Sequence, residues 1–221
     1  VKKVAVVLSG CGYRDGSEVI ESVATLIALS ELGASFFCFA PDTDFVPSRH
    51  AKQSHDSPVS SDEKRNILVE SARISRGEID DLRNLDPKDY DALVFPGGAG
   101  AAIHLSTWAT DGVRAKVTSD VSRVIRGFHE SAKPIGAICI APAIVAKVLG
   151  KKGVSVTIGN DAATAAEIEK TGATHVRCTA TDYVSDRDHK VLSTPAYMLD
   201  AKPHEVFMGV RKMLKELVEM A

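Results

Sequence analysis

The stretch Lys133-Pro134-Ile135-Gly136-Ala137-Ile138-Cys139-Ile140-Ala141-Pro142-Ala143-Ile144-Val145 decides how this chain folds. Its first half is a short unbroken apolar run, the pattern of a strand buried on both faces. Its second half reads as the start of a helix, with proline in the first turn, where the missing N–H costs nothing. Strand passes into helix without a linker, so Cys139 falls on the turn between them.

Working outward, two more runs behave the same way. Tyr90-Asp91-Ala92-Leu93-Val94-Phe95 is a core strand that breaks at Pro96-Gly97-Gly98, and Val4-Ala5-Val6-Val7-Leu8 leads into Ser9-Gly10-Cys11-Gly12. After that first turn Val19, Val23, Leu26 and Ile27 recur at helical spacing, Gly33 supplies a stop, and Phe36-Phe37-Cys38-Phe39-Ala40 follows as a strand closed by Pro41. Strand, crossover helix and strand make a βαβ unit, so the sheet is expected to be mostly parallel. The fold class is therefore α/β, a doubly wound, mostly parallel sheet sandwiched by helices.

The remaining segments fit that plan. Helices are expected over 65–76, from about Gly100, through Val117, Val121, Val124, Ile125 and Phe128, over 161–170 and at the C-terminus, where Val206, Val210, Met213, Leu214 and Leu217 share a face. A short strand is expected over 154–158. A hairpin-like pair, Tyr183-Val184-Ser185 and Lys190-Val191-Leu192-Ser193, flanks Asp186-Arg187-Asp188-His189. The polar stretch over 42–63, with Pro47 and Pro58, reads as an excursion from a single domain spanning 1–221.

Composition narrows the function classes. Lys+Arg is 27 and Asp+Glu 29, a net charge of -2 that offers no strong field toward nucleic acid or an anionic membrane. No run approaches the roughly 18 apolar residues of a membrane span. The four cysteines, Cys11, Cys38, Cys139 and Cys178, form no Cys-x-x-Cys pair and no zinc spacing, and no N-glycosylation sequon is present. With no signal-peptide pattern ahead of the first strand, a reducing interior is expected: the cytoplasm, or the mitochondrial matrix if a transit peptide has been removed.

In an open α/β sheet, ligands bind beyond the carboxyl ends of the strands. Cys139 stands there with a helix N-terminus behind it, whose N–H groups and dipole favour thiolate and can hold an oxyanion. The alternative is a packed structural thiol, since free cysteine is among the most buried residues. Glu18 opens the first helix; it is either a dipole-favoured N-terminal residue or, if it faces Cys139, a general acid/base. Pro96-Gly97-Gly98 permits close backbone approach and an oxyanion donor, or is a plain tight turn. Cys11, Gly97 and His104 are further pocket candidates. Gly10-Cys11-Gly12 is half a dinucleotide fingerprint and lacks its third glycine, and no P-loop lysine motif follows. No metal-ligand pattern is present, so neither metal nor cofactor is expected. Arg65, Arg73 and Arg76 with Glu70 and Glu78 read as a solvated helix face.

These residues together resemble a known family. Val6-Val7-Leu8-Ser9-Gly10-Cys11-Gly12, Asp15-Gly16-Ser17-Glu18, Phe39-Ala40-Pro41-Asp42, Arg65-Asn66-Ile67-Leu68 and Ala72-Arg73-Ile74-Ser75-Arg76-Gly77-Glu78-Ile79 resemble the ElbB-like family. So do Phe95-Pro96-Gly97-Gly98, Pro134-Ile135-Gly136, Cys139-Ile140-Ala141-Pro142-Ala143 and Thr194-Pro195-Ala196-Tyr197-Met198. This is the enhancing-lycopene-biosynthesis group, the isoprenoid biosynthesis proteins with an amidotransferase-like domain, within the ThiJ/PfpI superfamily of class I glutamine-amidotransferase-like folds. The resemblance implies a flavodoxin-like sandwich, a homodimer, an elbow nucleophile at Cys139 with Glu18 against it, and backbone oxyanion donors at Gly98 and Ile140. Ile140 stands where protease-like members have histidine, which argues against a Cys-His dyad and an efficient peptidase or glutaminase. His104 stands where relatives tend to have asparagine.

The activity that the resemblance suggests is a cofactor-free glyoxalase, or the related deglycase. Its substrate is a small carbonyl compound, taken through a cysteine hemithioacetal. A redox-sensing or ligand-binding protein with an oxidisable Cys139 is the alternative.

Overall fold

Three apolar runs, residues 4–7, 92–95 and 135–138, are buried along their whole length and lie side by side. The computed structural model describes residues 1–48 and 63–221. In chain order the first half comprises β1 (Lys3–Val7), α1 (Val19–Glu31), β2 (Ser35–Ala40), β3 (Asp44–Phe45), β4 (Arg65–Asn66), α2 (Ile67–Ser71), β5 (Ile79–Asp81) and β6 (Ala92–Phe95). Then come α3 (Ala99–Ile103), α4 (Trp108–Asp111), α5 (Ser119–Glu130), β7 (Ile135–Ile138) and α6 (Ala141–Leu149). The chain ends with β8 (Ser155–Val156), α7 (Ala162–Glu169), β9 (Thr174–His175), β10 (Val184–Asp186), β11 (Val191–Thr194) and α8 (Pro203–Met220).

The main sheet has seven strands in the order β10-β11-β7-β6-β1-β2-β5. Only the β10–β11 hairpin is antiparallel; the other pairings are parallel. Side chains alternate across the pleat. Val4 and Val6 of β1 face a core shared with Leu29 of α1 and Val210 and Met213 of α8. Ala5 and Val7 face the opposite core, built with Val124 and Phe128 of α5 and Ile144 of α6. The mostly parallel doubly wound sheet expected from the sequence is thus present. The chain winds outward from β1 to β2 and β5, then returns to β6, β7 and β11 on the other side. The winding reverses between β1 and β6, where such sheets place their ligands.

One local expectation needs correction, and two more details are added by the structure. The segment 65–76 is not one helix: Asn66 caps the five-residue α2 by accepting the Val69 N–H at 3.1 Å, and turns follow to Arg76 and Gly77, both at positive φ. Glu70 of the supposed solvated face is buried, with Arg73 Nε at 3.2 Å.

The second point concerns α1, which forms as expected and turns its apolar repeat outward. Val19, Val23 and Ile27 are 40%, 39% and 52% exposed, whereas Glu21, Ser22, Ala24, Thr25, Ala28 and Leu29 are buried. Small side chains on the inner face let the helix approach the sheet closely.

Third, the polar excursion begins as β3, which pairs with β4; most of the remainder, 49–62, lies outside the described residues. Among the described residues no helix is long and apolar enough to cross a membrane.

Candidate active site at the strand ends

The parallel register sets the carboxyl ends of β7, β6 and β1 next to one another, so the Cys139 turn, the Pro96-Gly97-Gly98 turn and the start of α1 converge. Cys139 has φ of 62°, a left-handed conformation that a non-glycine residue adopts at a cost of order 1–3 kcal/mol. Its neighbours hold it there. The Cys139 N–H donates to the Thr194 carbonyl of β11 at 2.9 Å, and Pro142 lies in the first turn of α6 immediately behind. The backbone N–H groups of Gly98 and Ile140 are directed at the sulfur, where they favour thiolate.

The carboxyl hydrogen-bonded to the thiol belongs to Glu21, one helical turn beyond Glu18. Glu21 is fully buried. Its Oε2 accepts the Gly97 N–H at 3.0 Å and its Oε1 accepts the Tyr197 N–H at 3.3 Å. Burial, then the charge of Glu18, pushes the Glu21 carboxyl up to about 8. Burial, then Glu21, pushes the Cys139 thiol well above its usual range, against the pull of the two N–H donors. The helix-end stabilisation expected from the sequence is therefore present but outweighed by desolvation.

Glu18 is the N-cap of α1, and its Oε2 accepts the Glu21 N–H at 2.7 Å. It is half-buried, and that burial raises its carboxyl above the ordinary range. Capping and lining coincide here, since Glu18 borders the same cavity as Cys139. The expectation of one acid against the thiol is thus corrected to a stacked pair: Glu21 under the sulfur and Glu18 toward the opening.

Gly97 is a spatial necessity. A Cβ there would lie 2.3 Å from Cys139 Cβ, 2.6 Å from Glu21 Oε2 and 2.8 Å from the Ile138 carbonyl oxygen. At Gly98, with φ of 95°, a Cβ would lie 2.4 Å from the Glu18 nitrogen, which donates to the Gly97 carbonyl at 3.0 Å. The two glycines thus press the β6 turn against both the elbow and the start of α1.

The cavity over this floor measures about 800 Å³ and is bordered by Tyr13, Trp108, Ile140, Glu167, Tyr197 and Met198 among others. Cys11 and His104 do not border it. Cys11 lies in a bridge with Ser17, its thiol raised by burial and then Glu70. His104 closes α3, donates from Nε2–H to the Asp15 carbonyl at 2.7 Å and packs on Phe45 at 4.8 Å. Burial lowers its imidazole pKa, and it borders a separate cavity of about 450 Å³ with Asp42 and Arg83. Both residues left the pocket because their turns are tied to other loops.

Glu21 escaped the sequence reading. Its signal was an acid spaced with Ala24, Thr25 and Ala28 along one helix, a small-residue face that the larger apolar residues on the other side obscured. Among the described residues no cluster of His, Cys, Asp and Glu is arranged to hold a metal ion.

Residues 2–194 match the model of the DJ-1/PfpI family. The chain belongs to the DJ-1/PfpI family. Relatives resemble it over nearly its whole length. The human "glutamine amidotransferase-like class 1 domain-containing protein 3, mitochondrial" is 44% identical across 99% of this chain and 83% of its own. The rat "ES1 protein homolog, mitochondrial" is 43% identical across 99% of this chain and 84% of its own. An Ehrlichia chaffeensis structure described as an isoprenoid biosynthesis protein with an amidotransferase-like domain superposes with a TM-score of 0.87. It is 36% identical and covers 100% of this chain and 99% of its own. In this DJ-1/PfpI chain the strained elbow, the buried acid and the cavity form one continuous site.

Proposed function

We propose that this DJ-1/PfpI chain is an ElbB-like, cofactor-free glyoxalase that converts glyoxal-type dicarbonyls to hydroxy acids. The observation that carries the reading is the hydrogen-bonded Cys139–Glu21 pair on a strained elbow, with a second carboxyl, Glu18, bordering the cavity above. The Cys139 sulfur bonds to the aldehyde carbon, and its proton passes to the aldehyde oxygen with the Glu21 carboxyl as relay. The product is a hemithioacetal. Glu18 then takes the proton from the sulfur-bearing carbon and returns it to the neighbouring carbon through an enediol, leaving a thioester. Water cleaves that thioester, releasing glycolate and restoring the thiol. Electrons move within the substrate, so no external oxidant is consumed. The Gly98 and Ile140 N–H groups hold the oxygen that becomes negative, and carboxyls raised toward neutrality suit the proton transfers.

The redox-sensing alternative calls for an exposed, acidic thiol, and Cys139 is 8% exposed with its pKa raised. An amidase reading lacks a histidine at position 140. A link to isoprenoid metabolism is supported by the description of the Ehrlichia protein, and a mitochondrial rather than cytoplasmic setting by the names of the human and rat proteins. Self-association as a homodimer is supported by the outward apolar stripe of α1.

The test is conversion of glyoxal to glycolate, with Cys139→Ala as the blank. Wild type is expected to form glycolate, Cys139→Ala none, and Glu18→Gln about 100-fold less or lower still. Equal rates in wild type and Cys139→Ala would discard the mechanism.

A further inference from the structure

The cavity is far larger than glyoxal needs, and its walls are of one character. At about 800 Å³ it lies within the range of pockets that enclose drug-sized ligands. Trp108, Tyr13, Ile140 and Met198 give it aromatic and aliphatic sides. Its charged lining residues among those described are Glu18 and Glu167, both acidic. Among the described residues the cations beside the cavity are held against its lining, Arg114 and Lys170 both acting on Glu167. Lys170 pairs with Glu167 Oε1 at 2.5 Å, and Arg14 donates to the Tyr13 hydroxyl at 2.8 Å while stacking on that ring. Glu167 Oε2 also accepts the Val113 N–H at 2.9 Å, which fixes the carboxylate in the far wall. Glu18, whose carboxyl burial raises above its ordinary range, borders the same cavity as Cys139.

We infer that this site takes neutral 2-oxoaldehydes bearing an aryl-sized apolar group, and excludes carbonyl compounds that carry a negative charge. The inference rests on the glyoxalase reading for the reacting end and on the cavity walls for the remainder. Burying a ring against Trp108 and Ile140 removes apolar surface from water. A carboxylate in the same place would lose hydration, face Glu18 and find no cation among the described lining residues. The same asymmetry acts on turnover: the substrate enters uncharged, and the hydroxy-acid product leaves as an anion repelled by the wall that admitted its precursor.

Two measurements separate this inference from the reading beneath it. The first needs no chemistry. Acetophenone and benzoate, matched in ring and size, are titrated into Cys139→Ala and followed by ligand-observed NMR. Acetophenone is expected to bind at least about tenfold more tightly, a gap of the order set by a few well-placed contacts. Ala163→Lys, at an exposed position on the cavity rim, is expected to narrow the gap by adding a cation. Equal affinities, tighter benzoate, or no binding of either would overturn the inference.

The second measurement compares kcat/KM for phenylglyoxal, 4-carboxyphenylglyoxal and glyoxal on wild type. Phenylglyoxal is expected to lead both by about tenfold or more. Turnover of glyoxal with no gain for phenylglyoxal would overturn the inference and leave the glyoxalase standing. Acetophenone selectivity without consumption of any dicarbonyl would overturn the glyoxalase and leave the cavity's preference for neutral aryl ligands.

Discussion

Glu21 has no room to be anything but a proton holder. Its carboxyl is sealed between Gly97, Tyr197 and the Cys139 sulfur, and the charge of Glu18 lies one turn away. Replacing it by glutamine keeps the shape and removes the negative charge that raises the thiol. Glu21→Gln is therefore expected to increase the rate at which iodoacetamide alkylates Cys139 at pH 9, where the wild-type carboxyl has lost the proton it keeps to about 8, read by intact mass. An unchanged or slower rate would mean that Glu21 does not set the sulfur's protonation.

The same raised carboxyl couples stability to pH. The unfolded chain loses this proton near 4.5, while the folded chain keeps it to about 8. The stabilising contribution is complete below 4.5 and is lost as pH rises through 8, at no more than about 1.4 kcal/mol per pH unit. Wild type is expected to lose thermal stability between pH 5 and 8 more steeply than Glu21→Gln; parallel melting curves across that range would contradict the burial. Gly97→Ala probes the same spot sterically. Its methyl group would collide with the Cys139 and Glu21 side chains and the Ile138 carbonyl, so a loss of about 1–3 kcal/mol is expected in denaturant unfolding.

At the scale of elements, α1 serves two surfaces at once. Its inner face carries Glu21 and small residues against the sheet, and its outer face presents Val19, Ile20, Val23 and Ile27 beside Phe207 of α8. Exposed apolar rows of this kind mark association surfaces. Val23→Glu is expected to shift a wild-type dimer toward monomer in light scattering, with the elbow chemistry intact; a monomeric wild type would remove the homodimer proposal. The short elements around the site follow a common plan. The turns at the ends of β1 and β6 tie to each other through backbone hydrogen bonds, among them Glu18 N–H to Gly97 O and Gly100 N–H to Gly16 O, both at 3.0 Å, and the turn after β7 is tied to β11 by Cys139 N–H to Thr194 O at 2.9 Å. The elbow's unusual backbone is thereby held by β11 and by the close packing of Gly97 against Cys139 rather than by its own local sequence alone.

Across the whole molecule, legibility in the sequence tracked how many neighbours a residue answers to. The buried strands were legible because a strand covered on both faces must be apolar throughout, as residues 92–95 and 135–138 are. Asp161 was legible as a helix start, and it does cap α7 by accepting the Thr164 N–H at 2.7 Å. The supposed helix over 65–76 was not, because a local periodic pattern cannot reveal that β5 must begin at Ile79 along the sheet edge. Nor was the fate of His104, whose ring is claimed by the Asp15 carbonyl far away in sequence.

The sequence by itself determined the layered architecture and the place of Cys139 at a strand-to-helix turn, since both follow from local rules of apolar pattern and turn chemistry. Only the tertiary structure decided which acid meets the sulfur. A helix as apolar as α1 offers two plausible inner faces, and the choice between Glu18 and Glu21 falls to the side that packs closest against β1, β6 and β7. That choice is made by burial summed over the sheet, and no stretch of the chain carries it alone.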